Sequence, residues 1–432
     1  MTSKIVHTGV LLFVLLLLFS SSCKKEDDNS PPSVIVDAPL ENEVFFSRDT
    51  IPLSGSANDD IMLEHIRIVL EDNNNQPVST PKYLHPNSRN YVFSFDYIID
   101  EPFLASGEYT LVVSAYDGRN SSSDYTALQI RGIEREFEKV LLLCRPNNLK
   151  TYLYSIDTSG DVKAEKVIDH GYQASAVNSG RRKLFMIKPE PSALYAFDLD
   201  DLEGDELLTA SPPYPFFTDV IAGSSLTFVS TANGDIKGLN DYGQTVFVTA
   251  TNADTVPLRV HTHFDYILSY CQRRGAPGKS IRQYYAGSGV FRAGKEITFS
   301  VTDFFSPHQS KCLIFGNEAE GGRVYEFGIT ENYIIALKEL PQDLIKDVVE
   351  IAAGNYIIAA ETGLYQYMNA SNTLTSWASG LEAGFLCFDE SNFILYAASE
   401  QMVYVINAGN GEIISEIPIP YPVVNMHIQY NI

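Results

Sequence analysis

Along residues 139–432 one pattern of apolar and polar positions recurs. A run of apolar residues, long enough for one strand and too short for a core helix, leads into a polar turn. A second strand follows with Tyr or Phe near its centre. The apolar runs are KVLLLCRP from Lys139, KLFMIKP from Lys183, SLTFVST from Ser225, FDYILSYC from Phe264, KCLIFGN from Lys311, NYIIAAE from Asn355 and FILYAAS from Phe393. Their unbroken apolar character predicts strands buried on both faces. The partner strands are YLYSID from Tyr152, ALYAFDL from Ala193, DIKGLN from Asp235, SIRQYYA from Ser280, RVYEFG from Arg323, GLYQYM from Gly363 and MVYVIN from Met402.

A further strand precedes the buried run in most units, as in FTDVIAG from Phe217, PLRVHTH from Pro257, VTDFFSP from Val301 and DVVEIAAG from Asp347. Another follows the partner strand, as in QTVFVTA from Gln244 and EIISEIPI from Glu412. Four strands per unit, repeated at about forty residues, predict the blades of a β-propeller over residues 138–432. The first unit lacks its leading strand. VVNMHIQYNI from Val423 has no unit after it and fits that place. The expected ring therefore has seven blades closed by the C-terminal strand, which leaves no open edge between first and last. The last unit, MVYVINAGNGEIISEIPIP, resembles the YVTN-type repeat of secreted prokaryotic proteins, and the region as a whole resembles the wide WD40-like and quinoprotein-like superfamily.

Residues 33–132 follow a different rhythm, with short alternating strands such as HIRIVL from His65, YVFSFDYII from Tyr91 and YTLVVSAY from Tyr109. About seven strands in a hundred residues predict two packed sheets. The strings SGSANDD and GEYTLVVSAYDGRN resemble bacterial immunoglobulin-like and fibronectin-like modules. The expected fold class is all-β, an immunoglobulin-like sandwich followed by the propeller.

The first thirty residues read as an address. Lys4 precedes GVLLFVLLLLF at residues 9–19, a run too short to span a bilayer and of the length of a signal-peptide core. Ser20, Ser21 and Ser22 lead to Cys23. This resembles a bacterial lipoprotein signal, with residues 1–22 removed and Cys23 lipidated, although Ser20 stands where such signals have an aliphatic residue. Lys24, Lys25, Glu26, Asp27 and Asp28 then resemble the surface-export signal of Bacteroidetes lipoproteins. Residues 23–32 form a polar tether. The resemblance implies an outer-membrane lipoprotein displayed on the cell surface. Thr50 and Thr255 sit in Asp-Thr-aliphatic triplets that match the O-glycosylation pattern of the same group.

Composition narrows the function. A net charge of −23 excludes a nucleic-acid partner, which needs clustered Lys and Arg. Tyr 25 and Phe 24 against Trp 1 suit strands and disfavour the quinoprotein branch, whose blades dock through repeated tryptophans, since Trp377 stands alone. Cys144, Cys271, Cys312 and Cys387 lie in or beside apolar runs and are expected as buried thiols. There is no G-x-S-x-G elbow and no glycine-rich phosphate loop.

Aligning the innermost strands by their distance to the buried runs places Ser175, Asp219, Arg259, Asp303, Val349, Phe385 and Asn425 around the central channel. Carboxylates, an arginine and small polar groups there suit a sugar or a cation; a merely wet channel is the alternative. His261 and His263 share one strand face and are weak candidates for a metal, with His308 as a possible third ligand. No cofactor is expected, calcium at Asp59, Asp60 and Asp117 being the exception weighed against simple turn capping. The expected function is a non-enzymatic binding or interaction lipoprotein whose partner is a glycan, a peptide or a protein. The alternatives are a propeller hydrolase or lyase acting on polysaccharide, and a structural subunit of an outer-membrane nutrient-uptake complex.

Overall fold

The seven buried apolar runs each become the second strand of a four-stranded antiparallel sheet in the computed structural model of the chain. It describes residues 30–431 apart from 48, 74, 100–103, 133–134, 211–214 and 224. The lipoprotein and export residues Cys23, Lys24, Lys25, Glu26, Asp27 and Asp28 lie outside the described residues. Among the described residues there is no helix long and apolar enough to cross a membrane.

Why those runs are continuously apolar is visible in the packing. Alternate side chains of a strand leave opposite faces of its sheet. Leu141 and Leu143 enter the core shared with Leu184 and Met186, whereas Val140, Leu142 and Cys144 enter the core shared with Cys387, Tyr396 and Val403. Both faces of every sheet are covered in this way. Seven apolar clusters fill seven seams between consecutive sheets, the seam from the seventh back to the first included.

The innermost strands are Ala174–Asn178, Phe217–Ala222, Thr255–His263, Ser300–His308, Ile345–Ala352, Phe385–Asp389 and Val423–Tyr430. Each touches the next, and Val423–Tyr430 returns to Ala174–Asn178, so they ring a central channel. This is a β-propeller. Val423–Tyr430 pairs antiparallel with Phe137–Asn147, Met426 opposite Leu142 and Ile428 opposite Val140. The C-terminal strand thus completes the first sheet, as its sequence position suggested.

Ahead of the ring, a three-stranded sheet (Ser33–Ala38, Thr50–Leu63, Ser88–Ile98) and a five-stranded sheet (Glu43–Phe46, Ser121–Arg131, Gly107–Tyr116, His65–Glu71, Lys82–Leu84) enclose one core. Alternation puts Ile51, Leu53 and Phe93 from one sheet against Ile66, Ile68, Leu111 and Val113 from the other. Eight strands are present here among the described residues, one more than the pattern suggested, because the edge strands Glu43–Phe46 and Lys82–Leu84 are too short to show a period.

Candidate functional site

The channel is lined through a repeated local distortion. In five innermost strands the register slips by one residue, between Phe217 and Asp219, Pro257 and Arg259, Val301 and Asp303, Ile345 and Asp347, and Val423 and Asn425. A bulge of this kind re-aims the side chain that follows it. The residue after each bulge is polar, and two apolar or imidazole-bearing residues come next, as in Asp219-Val220-Ile221 and Asp303-Phe304-Phe305. In the two strands without the bulge, Ser175 and Phe385 hold the equivalent place, opposite Met186 and Ala398.

Ser175, Asp219, Arg259, Asp303, Phe385 and Asn425 therefore occupy matching positions in their strands. Val349 does not. Asp347 takes the sixth place, opposite Ala359, and Val349 packs into the apolar seam beyond it. Asp347 stands eight residues before its buried run at Asn355, as Asp303 stands before Lys311 and Phe385 before Phe393, so the run leads back to Asp347 and not to Val349.

The three carboxylates are held by backbone amides. Asp219 Oδ2 accepts the N–H of Val260 from the next sheet at 2.9 Å. Asp347 accepts Val348 N–H at 2.9 Å on one oxygen and Leu386 N–H, again from the next sheet, at 2.6 Å on the other. Asp303 Oδ1 accepts Phe304 N–H at 2.7 Å. Arg259 reaches toward Asp219, Nη1 to Oδ1 being 3.8 Å. Its side chain is encircled by protein and still 52% exposed, as a group projecting into a channel must be.

Burial pushes all three acids upward, Asp303 to about 6 and Asp347 to about 7. Arg259 opposes the shift at each of them, whereas Asp219 adds to it at Asp303 and Asp303 adds to it at Asp347. Burial works against the Arg259 charge too, but the fields of Asp219, Asp303 and Asp347 outweigh it and raise its affinity for the proton. One guanidinium thus serves three carboxyl groups, two of which exchange protons near neutral pH.

Beside them stands an uncharged network. Asn425 Nδ2 donates to Tyr172 Oη at 2.8 Å and to Ser175 Oγ at 3.2 Å, and Ser175 Oγ lies 2.7 Å from His427 Nε2. Burial lowers His427 to about 4, so the ring is neutral. Tyr172 and His427 were not singled out in the sequence. Tyr172 lies in a connecting loop, and His427 is two residues beyond Asn425 on the same strand, a spacing that could have found it.

His261 and His263 do converge. Both rings meet Ser306 Oγ, at 2.6 and 2.7 Å. His308 does not join them; it is exposed and paired with Ser310. The buried thiol of Cys312 takes that place. Asp59, Asp60 and Asp117 form no ligand group among the described residues. Asp59 caps the amides of Ile61 and Met62, and Asp117 those of Arg119 and Asn120. Cys144, Cys271, Cys312 and Cys387 are buried free thiols.

No protein-family model matches the chain, and no curated protein matches it in sequence. Solved structures similar in fold include hydrazine synthase of Kuenenia stuttgartiensis, with 12% identity and TM-score 0.49 over 62% of this chain and 94% of that one. A quinoprotein alcohol dehydrogenase-like protein of Bacteroides thetaiotaomicron has 10% identity and TM-score 0.46 over 93% of this chain and 99% of that one. A WD40 β-propeller domain has 10% identity and TM-score 0.47 over 62% of this chain and 91% of that one. Likenesses of this size assign no activity. The architecture rests on the chain's own sheet topology.

Proposed function

We propose that this chain is a surface-displayed lipoprotein of a bacterial outer membrane, anchored through Cys23, in which an immunoglobulin-like module carries a seven-bladed propeller that binds a hydroxyl-rich ligand, a glycan, at the channel. The observation that carries the binding reading is Arg259 projecting into the channel among Asp219, Asp303 and Asp347. Vicinal hydroxyls both donate and accept. Ionised carboxylates supply acceptors, the guanidinium supplies paired donors, and Tyr172 and Asn425 supply a phenol and an amide beside them. The address is supported by the apolar run, the small residues before Cys23 and the Lys-then-acid stretch after it.

Calorimetry of the purified chain against a panel of neutral and acidic oligosaccharides tests the binding reading. Saturable binding by one class, lost in Arg259→Ala and Asp219→Ala, is the expected result; no binding across the panel overturns it. Mass spectrometry of the mature N-terminus, with Cys23→Ala as reference, tests the anchor, and protease shaving of intact cells tests display.

One observation favours a second reading. Asp303 and Asp347, pushed to about 6 and about 7, hold and release protons in the range that acid–base cleavage of a glycosidic bond requires. Release of new reducing ends from a bound oligosaccharide, abolished in Asp347→Asn, would replace binding by hydrolysis.

A further inference from the structure

We propose that His261, His263 and Cys312 form a site for one borderline-soft transition-metal ion, of which zinc is the representative, in the seam between the fourth and fifth sheets of the ring. One ligand atom from each of the three residues lies within 4.8 Å of the others. His261 and His263 share a face of strand Thr255–His263, and Cys312 comes from strand Lys311–Glu318 of the next sheet. Zinc bonds of about 2.0–2.3 Å set neighbouring donors roughly 3.3–3.7 Å apart, so inward movements of about 1 Å or less complete the geometry.

The hydrogen bonds fix which nitrogens carry protons. Gln309 O is a carbonyl and only accepts, so His263 Nε2, 3.0 Å away, is the protonated nitrogen. His263 Nδ1 then has a lone pair and takes the Ser306 hydroxyl proton at 2.7 Å. That hydroxyl has no proton left for His261, so His261 Nε2 donates to it at 2.6 Å in the metal-free chain, and on metal binding that proton passes to Nδ1 and frees the Nε2 lone pair beside Ser306. A histidine whose far N–H is anchored on a backbone carbonyl is the arrangement that orients metal-bound imidazoles.

The surroundings agree. His263 and Cys312 are fully buried, and His261 stacks on Phe304 with ring centroids 5.7 Å apart. Two imidazole nitrogens and one sulfur match borderline-soft ions and suit calcium or magnesium poorly. Binding replaces the thiol proton by the metal: the S–H bond breaks, a metal–thiolate bond forms and one proton leaves to solvent. The Ser306 hydroxyl, already facing both rings, or a water supplies the fourth donor. The channel ligand plays no part, so this inference stands apart from the proposed function.

Zinc sulfate titrated into the demetallated full-length mature chain, followed by calorimetry and elemental analysis, should show one tight equivalent. Cys312→Ser and His261→Ala should each weaken it by at least about a hundredfold, whereas His308→Ala, outside the cluster, should not. Cobalt(II) added to the parent chain should produce a thiolate-to-metal absorption band in the near ultraviolet. That reading needs no variant and decides the matter if the substitutions unfold the protein. Absence of the band, absence of a stoichiometric zinc ion, or zinc binding indifferent to both substitutions in folded protein overturns the site.

Discussion

The carboxylate of Asp347 accepts the backbone N–H of Leu386, one sheet further round the ring, at 2.6 Å. Asp219 and Val260 repeat the relation at 2.9 Å. These acids therefore link consecutive sheets where the strands bulge, besides facing the channel. Asp347→Ala leaves two amides without their acceptor and should cost about 1–3 kcal/mol. Asp347→Asn keeps an acceptor oxygen and should cost less. Urea unfolding of both variants checks the order.

The same residue gives the fold a dependence on pH. An unfolded aspartic acid titrates near 3.8, and Asp347 in the fold near 7. Between those values the folded chain keeps a proton that the unfolded chain has released, so stability falls as pH rises through that window. Asp303 acts in the same direction up to about 6. Asp347→Asn should lose less stability than the parent between about pH 5 and pH 8. Thermal unfolding across that range measures it.

His427 works in the opposite sense. Its folded value near 4 lies below the ordinary 6.5, so the unfolded chain binds the extra proton and stability is lost as pH falls below about 6.5 toward 4. His427→Gln, which can still meet Ser175, should remove that part of the acid loss. A variant that follows the parent curve through this window would deny His427 its role.

Among the described residues, Arg259 is the cation that bears on all three channel acids. Arg259→Met should raise their affinity for protons further. It should be tolerated better near pH 5, where Asp303 and Asp347 are protonated, than near pH 8, where three carboxylates face one another. Carboxyl chemical shifts followed by NMR against pH read the change directly.

Met426, 3% exposed, sits in the seam that joins the seventh sheet to the first. Met426→Asp puts an unpaired charge there and should destabilise by about 3 kcal/mol or more. Limited proteolysis should then cut near the Phe137–Asn147 and Val423–Tyr430 strands before it cuts elsewhere.

How far the sequence could be read follows from these residues. The seven buried strands were legible because both faces of each are covered, which writes an unbroken apolar run. Ser175, Asp303 and Phe385 were legible because each stands eight residues before its apolar run, at Lys183, Lys311 and Phe393. Asp347 obeys that spacing as well, eight residues before Asn355, and was equally legible; Val349, six residues before the run, did not fit it. Cys312 could not be joined to His261 and His263 from the sequence. Their meeting depends on how two successive sheets stack, and hydrophobic periodicity carries no information about the rotation from one sheet to the next.

The pairing of Val423–Tyr430 with Phe137–Asn147 also sets an order of events. Sheets two to seven each consist of neighbouring segments and can form as the chain emerges, whereas the first must wait for a strand encoded almost a whole ring later. Until then Phe137–Asn147 offers an unpaired edge and an uncovered apolar face. That interval is when a chaperone would have most to hold.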